Sequence, residues 1–402
     1  MTARLRRTVA TTALAAMLVS SLSAAQGSPD GGAGPTTSDE MLRYVTAHRD
    51  QSALVAYSVT PDGLADPRDE VLAVNASRPM PLGSTVKIIT LAVYAREVAA
   101  GRLDPRERVA LAAWDRYYLP LRDGLAHPAA LDALGVPMDE FGFALDGGTT
   151  ASLDEVVFAA IRHSDNAAAD YLLDRIGRPA FVELIARAGL GQQDVPQSIL
   201  GLFLSWANHD APQVTWRRVW ALASMGAARY RAYVSALACN YGEALWRQAE
   251  LAWIATMPTL AYAPHAAAAE ALFPRGSAAD YARIMAGVVA GTFISREVSA
   301  IMRRHLEWPM AYPELSDGFA VFGNKGGTLP GVTTDANYFV AAGGDYAGRP
   351  RVAVLFLSRL DEATLAALGR TAAQNAFNRR LAVDRAFVRR VGRALDSTAK
   401  PE

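Results

Sequence analysis

Between Ser84 and Tyr94 the chain offers Val86, Ile88, Ile89, Leu91, Ala92 and Val93, leaving almost no polar face before Arg96. A helix that is apolar all round is buried all round, so this chain must lay other elements against every side of this one. Gly83 permits a tight entry into the helix and Ser84 stands at its head. Lys87, one turn on, projects from the same face, within reach of the serine oxygen. The partial positive charge of a helix end favours a developing alkoxide or oxyanion, and burial disfavours the charged form of an amine, which a base near neutral pH requires. An ordinary N-capping serine above a core helix with a snorkelling lysine would use the same two residues. The pair therefore needs support from elsewhere.

That support begins with lysine usage. Of 40 Lys+Arg residues only three are lysine: Lys87, Lys325 and Lys400. Arginine stays protonated at any accessible pH whereas a buried lysine can shed its proton, so keeping lysine at two motifs points to chemistry there. Lys400 is the control: Ser397-Thr398-Ala399-Lys400 also spells S-x-x-K, but it stands in the last few residues of the sequence, where order is least expected and no partner motif comes after it. What distinguishes Ser84-Thr85-Val86-Lys87 is that Ser164-Asp165-Asn166 and then Lys325-Gly326-Gly327-Thr328 come after it. The second motif falls between a helix expected over Leu153 to Arg162 and another over Ala167 to Ile176. The third follows the apolar stretch Phe319 to Gly323 and precedes the turn at Pro330-Gly331, with strands expected at Ala336 to Ala342 and Val352 to Leu357. On such a strand Lys325 can hold a substrate carboxylate, and Gly327 lets the backbone approach a ligand closely.

In this order the three motifs resemble those of the class A β-lactamases and their relatives among the penicillin-binding proteins, S-x-x-K, S-D-N and K-T-G. Two match letter for letter; the third has Gly326 where threonine is usual. The resemblance runs from about Ala53 to the C-terminal helix. It implies an α/β (α+β) β-lactamase/transpeptidase-like fold, an antiparallel sheet flanked by helices with a mainly helical lobe inserted, and an acyl-enzyme formed on Ser84 with Lys87 as the leading candidate base. It implies that Ser164 relays a proton to the leaving group, that Asn166 hydrogen-bonds the acyl side chain of a substrate, and that the Thr328 backbone N–H joins that of Ser84 as an oxyanion hole. Asp165 is expected to be structural, and His163 to pack or meet solvent.

One departure weighs on turnover. Class A enzymes place a glutamate in the loop that follows the second motif to activate the deacylating water, but after Glu183, itself in a segment that reads as helix, no glutamate occurs before Glu243. Asp194 is the nearest acid and reads equally well as a turn residue beside Val195-Pro196. Five of the seven tryptophans (Trp206, Trp216, Trp220, Trp246 and Trp253) fall in this stretch. Aromatic residues at loose helical spacing are expected in the core of extra helices, with an apolar wall over the cleft as the functional alternative.

The rest of the chain sets bounds. Zero formal net charge gives no reason to seek nucleic acid, and 402 residues with 51% hydrophobic content suffice for a large core. Arg4, Arg6 and Arg7 before the apolar run Val9 to Leu22, then Ser23-Ala24-Ala25, read as a secretory signal peptide over residues 1–25. Residues 26–38 read as a Gly/Pro-rich flexible linker, and 39–396 as one catalytic domain with a helical insertion at about 197–273. The single Cys239 excludes an intramolecular disulfide and is expected to be buried; six scattered histidines show no metal-binding spacing. The expectation is a secreted or periplasmic monomer without metal, cofactor or stable membrane span, acting on a small-molecule or peptidoglycan-derived substrate. β-Lactam hydrolysis is favoured, with a D-alanyl-D-alanine carboxypeptidase or an esterase as the alternative. A non-enzymatic reading is a β-lactam or cell-wall binding protein that acylates without turning over.

Overall fold

The computed structural model describes residues 34–122, 124–257 and 260–397. The expected signal peptide, the first part of the linker and the Lys400 decoy lie outside them. Five strands, β1 (Ser52–Ser58), β2 (Leu72–Val74), β7 (Phe319–Leu329), β8 (Val332–Ala341) and β9 (Pro350–Leu357), form one sheet in the order β2-β1-β9-β8-β7, antiparallel throughout. Two short pairs complete the strands among the described residues, β3 (Pro79–Pro81) with β6 (Arg275–Ser277) and β4 (Arg108–Ala110) with β5 (Thr150–Ser152).

Because alternate residues of a strand face opposite sides, the sheet separates two cores. Leu54, Ala56, Phe322, Phe339, Leu355 and Leu357 face the terminal helices α1 (Ser38–Ala47), α12 (Glu362–Thr371), α13 (Ala373–Val383) and α14 (Arg385–Ser397). Val55, Tyr57, Tyr338, Val352, Val354 and Phe356 face the larger lobe. That lobe includes α2 (Lys87–Ala99), α3 (Leu153–Phe158), α4 (Asn166–Ile176), α5 (Ile199–Trp206), α6 (Trp216–Ala223), α7 (Ala227–Gly242), α8 (Ala244–Ile254), α9 (Tyr262–Leu272), α10 (Ala278–Ala290) and α11 (Arg296–Leu306). Helix α2 is buried along its first eleven residues, Lys87 to Glu97, as its all-round apolar sequence requires.

Four expectations change. The C-terminal helix to which the resemblance extends is two, α13 and α14, broken at Asp384, whose carboxylate accepts from Phe387 N–H and starts the second. The linker ends sooner than residue 38: Gly34 and Pro35 are buried, the Gly34 backbone close on Thr364 and Ala367 of α12, and Thr37 caps α1. Cys239 is exposed on α7, because that helix buries only Tyr230, Val234, Leu237 and Tyr241. Of the clustered tryptophans Trp206 is in the core, whereas Trp216 and Trp220 stand on the outer face of α6.

Candidate functional site

A four-residue 3₁₀ turn, Gly83–Val86, leads into α2 and presents Ser84 partly open to solvent. The sheet fixes this turn from below. Thr334 of β8 donates from Oγ1 to Leu82 O (2.6 Å) and lies 2.7 Å from Thr85 Oγ1. Gly327, opposite Thr334 in the β7–β8 register, brings its backbone against the turn so closely that a Cβ there would lie 2.5 Å from Ser84 N and 2.6 Å from Leu82 O. A Cβ on Gly83, whose φ is +51°, would meet Thr328 N at 3.1 Å. The backbone N–H groups of Ser84 and Thr328 thus belong to elements in close contact, with Thr328 exposed at the rim.

Lys87 is fully buried. Its Nζ lies 2.9 Å from Ser84 Oγ, 2.5 Å from Ser164 O, 3.4 Å from Ser164 Oγ and 2.7 Å from Asn166 Oδ1. Lys325, equally shielded from solvent, donates from Nζ to Ser164 Oγ (3.0 Å) and to Gly326 O (2.6 Å). One serine hydroxyl therefore touches both amines. Burial pushes the Lys325 ammonium well below the ordinary lysine range and the nearby Lys87 pushes it further, with Asp335 opposing. Asp335 lies opposite Gly326 and accepts from Asn324, Asn337 and Asn378 side-chain amides.

Ser164 reaches this position through local backbone irregularity. After α3 a π-helical turn, Ala159–His163, closes on Asp165 N–H, and Ser164 adopts φ +64°, a conformation L-residues avoid unless the surroundings enforce it. Asp165 enforces it. Its Oδ1 accepts from Ala167 N–H (2.7 Å) and Ala168 N–H (3.2 Å), capping α4, while Oδ2 meets Trp114 Nε1 (3.0 Å) and His127 Nδ1 (2.9 Å). His127 Nε2 lies 2.9 Å from Asp115 Oδ1. Burial alone would lower the His127 pKa, but the two carboxylates outweigh it and raise it to about 10, so the ring is an imidazolium at neutral pH. His163, by contrast, is buried without a hydrogen-bond partner and its pKa is driven down to about 4, chiefly by burial. It packs, as expected.

The sequence-predicted residues Ser84, Lys87, Ser164, Asn166, Lys325, Gly327 and Thr328 are thus neighbours. Asp194 is not with them: its carboxylate accepts from Arg275 N–H (2.9 Å) and its own N–H donates to Arg275 O (2.8 Å), a backbone clamp. Sequence reasoning missed Asp170, one turn along α4 from Asn166. Its buried carboxylate accepts from Ile199 N–H, Leu200 N–H and Ser198 Oγ–H (2.7–2.8 Å), and burial raises its pKa to about 6. It pins the start of α5, so that Leu200 and Phe203 line a recess with Asn166, Tyr117, Leu119 and Arg122. The Arg122 Nε and Nη2 atoms in this recess are buried without a hydrogen-bond partner, and burial lowers its pKa to about 10. The i, i+4 spacing of Asn166 and Asp170 was the one available signal; Trp114, Asp115 and His127 offered none. Among the described residues no cluster of three or more His, Cys, Asp or Glu side chains could hold a metal ion.

An antiparallel sheet backed by terminal helices, with a helical lobe packed on its other face and a serine and two lysines gathered between them, is the β-lactamase-like arrangement. The chain belongs to the Beta-lactamase enzyme family, whose model matches residues 40–378. Solved structures similar to it include a β-lactamase from Sphaerobacter thermophilus, 18% identical, covering 90% of this chain and 98% of that one with a TM-score of 0.49. A β-lactamase from Chitinophaga pinensis is 14% identical, covering 84% and 99% with a TM-score of 0.46. PBP-A is also 14% identical, covering 84% and 95% with a TM-score of 0.47. No curated protein matches the sequence. Among the described residues no helix is long and apolar enough to cross a membrane.

Proposed function

We propose that this protein is an exported serine hydrolase that is acylated on Ser84 by β-lactams or related amides and esters. The observation that carries the reading is the unbroken chain of contacts from Ser84 Oγ to Lys87 Nζ (2.9 Å), to Ser164 Oγ (3.4 Å), to Lys325 Nζ (3.0 Å). With its proton shed, the Lys87 amine accepts the hydroxyl proton of Ser84 as Oγ attacks the substrate carbonyl. The Ser84 and Thr328 backbone N–H groups receive the developing oxyanion. The proton passes through Ser164 to the leaving nitrogen or oxygen, Asn166 holds the acyl amide, and Lys325 pairs with the substrate carboxylate. The N-terminal leader read from the sequence accounts for export.

A second reading, in which the acyl-enzyme persists, is favoured by the recess beside Asn166: Leu200 and Phe203 stand there and none of its lining residues is a carboxylate. Incubating the protein with a chromogenic cephalosporin, a D-Ala-D-Ala peptide and a simple acyl ester, while following its mass over time, separates the readings. A mass increase confined to Ser84, absent in Ser84→Ala and kept in Ser397→Ala, is expected. An adduct that survives Ser84→Ala would sink the assignment; release of the adduct with steady product formation defines a hydrolase, and a permanent adduct defines a binding protein.

A further inference from the structure

Helix α6 is short and one-sided. Val219 and Leu222 face inward and are buried. Arg218 is tied down too, donating from Nε to Ser205 O (2.9 Å) and from Nη2 to Tyr233 Oη (3.4 Å). The opposite face carries Trp216 and, one turn on, Trp220, which are 56% and 74% exposed, with Arg217 also exposed on that side. The exposed surface continues through Met225, Ala227 and Ala228 to Arg229 at the start of α7. A single exposed apolar side chain is ordinary, but two neighbouring tryptophans open to water on one helix face mark a surface that meets something.

Charge narrows what it meets. From Ala211 to Gly242 the chain contains four arginines (Arg217, Arg218, Arg229 and Arg231) and not one Asp or Glu, a local balance of +4 in a molecule whose formal net charge is zero. Indole rings settle at the headgroup level of a bilayer, where one end is apolar and the other wet, and guanidinium groups pair with phosphate oxygens. An anionic leaflet concentrates such arginines near its surface and adds to the tryptophan contribution.

We propose that the outer face of α6 and the start of α7 dock reversibly on an anionic phospholipid bilayer. Trp216 and Trp220 enter the headgroup layer, and Arg217 and Arg229 pair with lipid phosphates. None of Trp216, Arg217, Trp220 and Arg229 is among the residues gathered at Ser84 or lining the recess beside Asn166, so the proposal stands or falls independently of the function assigned to that site.

The test is co-sedimentation of the full chain with vesicles of phosphatidylglycerol and phosphatidylcholine, or of phosphatidylcholine alone, comparing wild type with Trp216→Ser/Trp220→Ser, Arg217→Glu/Arg229→Glu and the control Leu145→Ser. Leu145 is exposed elsewhere on the molecule. A fluorophore on the single cysteine, Cys239 of α7, reports local burial in the bilayer. Wild type and the control should bind anionic vesicles at least about tenfold better than neutral ones, less so as salt rises, and both double variants should lose about tenfold or more with unchanged circular dichroism. Equal sedimentation of all four proteins would assign the binding to the apolar N-terminal leader and overturn the proposal. It would also fall if wild type dimerised in lipid-free solution, the tryptophan variant stayed monomeric and neither bound lipid, because the face would then join two copies of the chain.

Discussion

At Gly327 a side chain has nowhere to go: its Cβ would meet Ser84 N, Leu82 O and Thr334 Oγ1 at 2.5 to 2.7 Å, and the first two are backbone atoms that cannot turn away. At Gly326, where the resemblance led to an expected threonine, a Cβ would meet nothing nearer than Thr334 O at 3.5 Å. Gly327→Ala should therefore slow acylation by a penicillin by about 100-fold or more, the scale of losing one oxyanion donor, while Gly326→Ala should stay within about fivefold of wild type by the same comparison. Stopped-flow acylation rates check both, and equal effects would show that the β7 contact does not set the Ser84 geometry. The two lysines invite a second experiment. Burial and Lys87 hold the Lys325 ammonium below its ordinary range, so as pH rises Lys325 loses the charge proposed to capture a carboxylate before an ordinary lysine would. Arginine keeps its charge. The KM for a carboxylate-bearing substrate should accordingly rise with pH in wild type and stay flat in Lys325→Arg, whereas Lys87→Arg, lacking a base, should suppress kcat severely at every pH.

The elements show how much of this was legible in the sequence. The buried helix α2 was, because its apolar residues leave no polar face; so were β7, β8 and β9, whose apolar runs are bounded by Pro330-Gly331 and the Gly343-Gly344 turn region. Ser84, Lys87, Ser164, Asn166 and Lys325 could be gathered only because each sits in a motif with its own spacing. The clamp formed by Trp114, Asp115 and His127 under Asp165 was invisible, since it joins three separate stretches of chain through single contacts with no periodicity. That clamp carries a pH signature. His127 has a folded pKa raised to about 10, against about 6.5 when unfolded, so the folded state binds more protons between those limits. The stabilisation is complete below about pH 6.5 and is lost as pH rises through about 10. Thermal midpoints of wild type should fall across this window. His127→Gln should be less stable at pH 6.5 and show a flatter decline, and parallel curves for the two proteins would remove His127 as the source.

For the molecule as a whole, the sheet and the helical lobe each supply half of the cleft: β7 brings Lys325 and Thr328, the 3₁₀ turn brings Ser84 and the first residue of α2 is Lys87, and the turn before α4 brings Ser164 while α4 itself begins with Asn166. The helices from α5 onward add a wall. Asp170 fixes its near end, and that wall presents Leu200 and Phe203 to the recess at Asn166. A water held against these side chains gains no proton acceptor from them, and the one acid of this stretch that sequence offered, Asp194, is engaged with the Arg275 backbone. On the proposed mechanism the group left to activate a second nucleophile is Lys87, which would first have to give up the proton taken from Ser84. Acylation should then outrun deacylation with most β-lactams, giving a burst of product about equal to the enzyme concentration and a slower steady phase. Quenching during that phase should trap the acyl group on Ser84, and Asp194→Asn should alter the steady rate by no more than a few-fold, about 1 kcal/mol in barrier. Rapid linear turnover without a burst or a trapped adduct would mean that a base other than Lys87 reaches the acyl-enzyme.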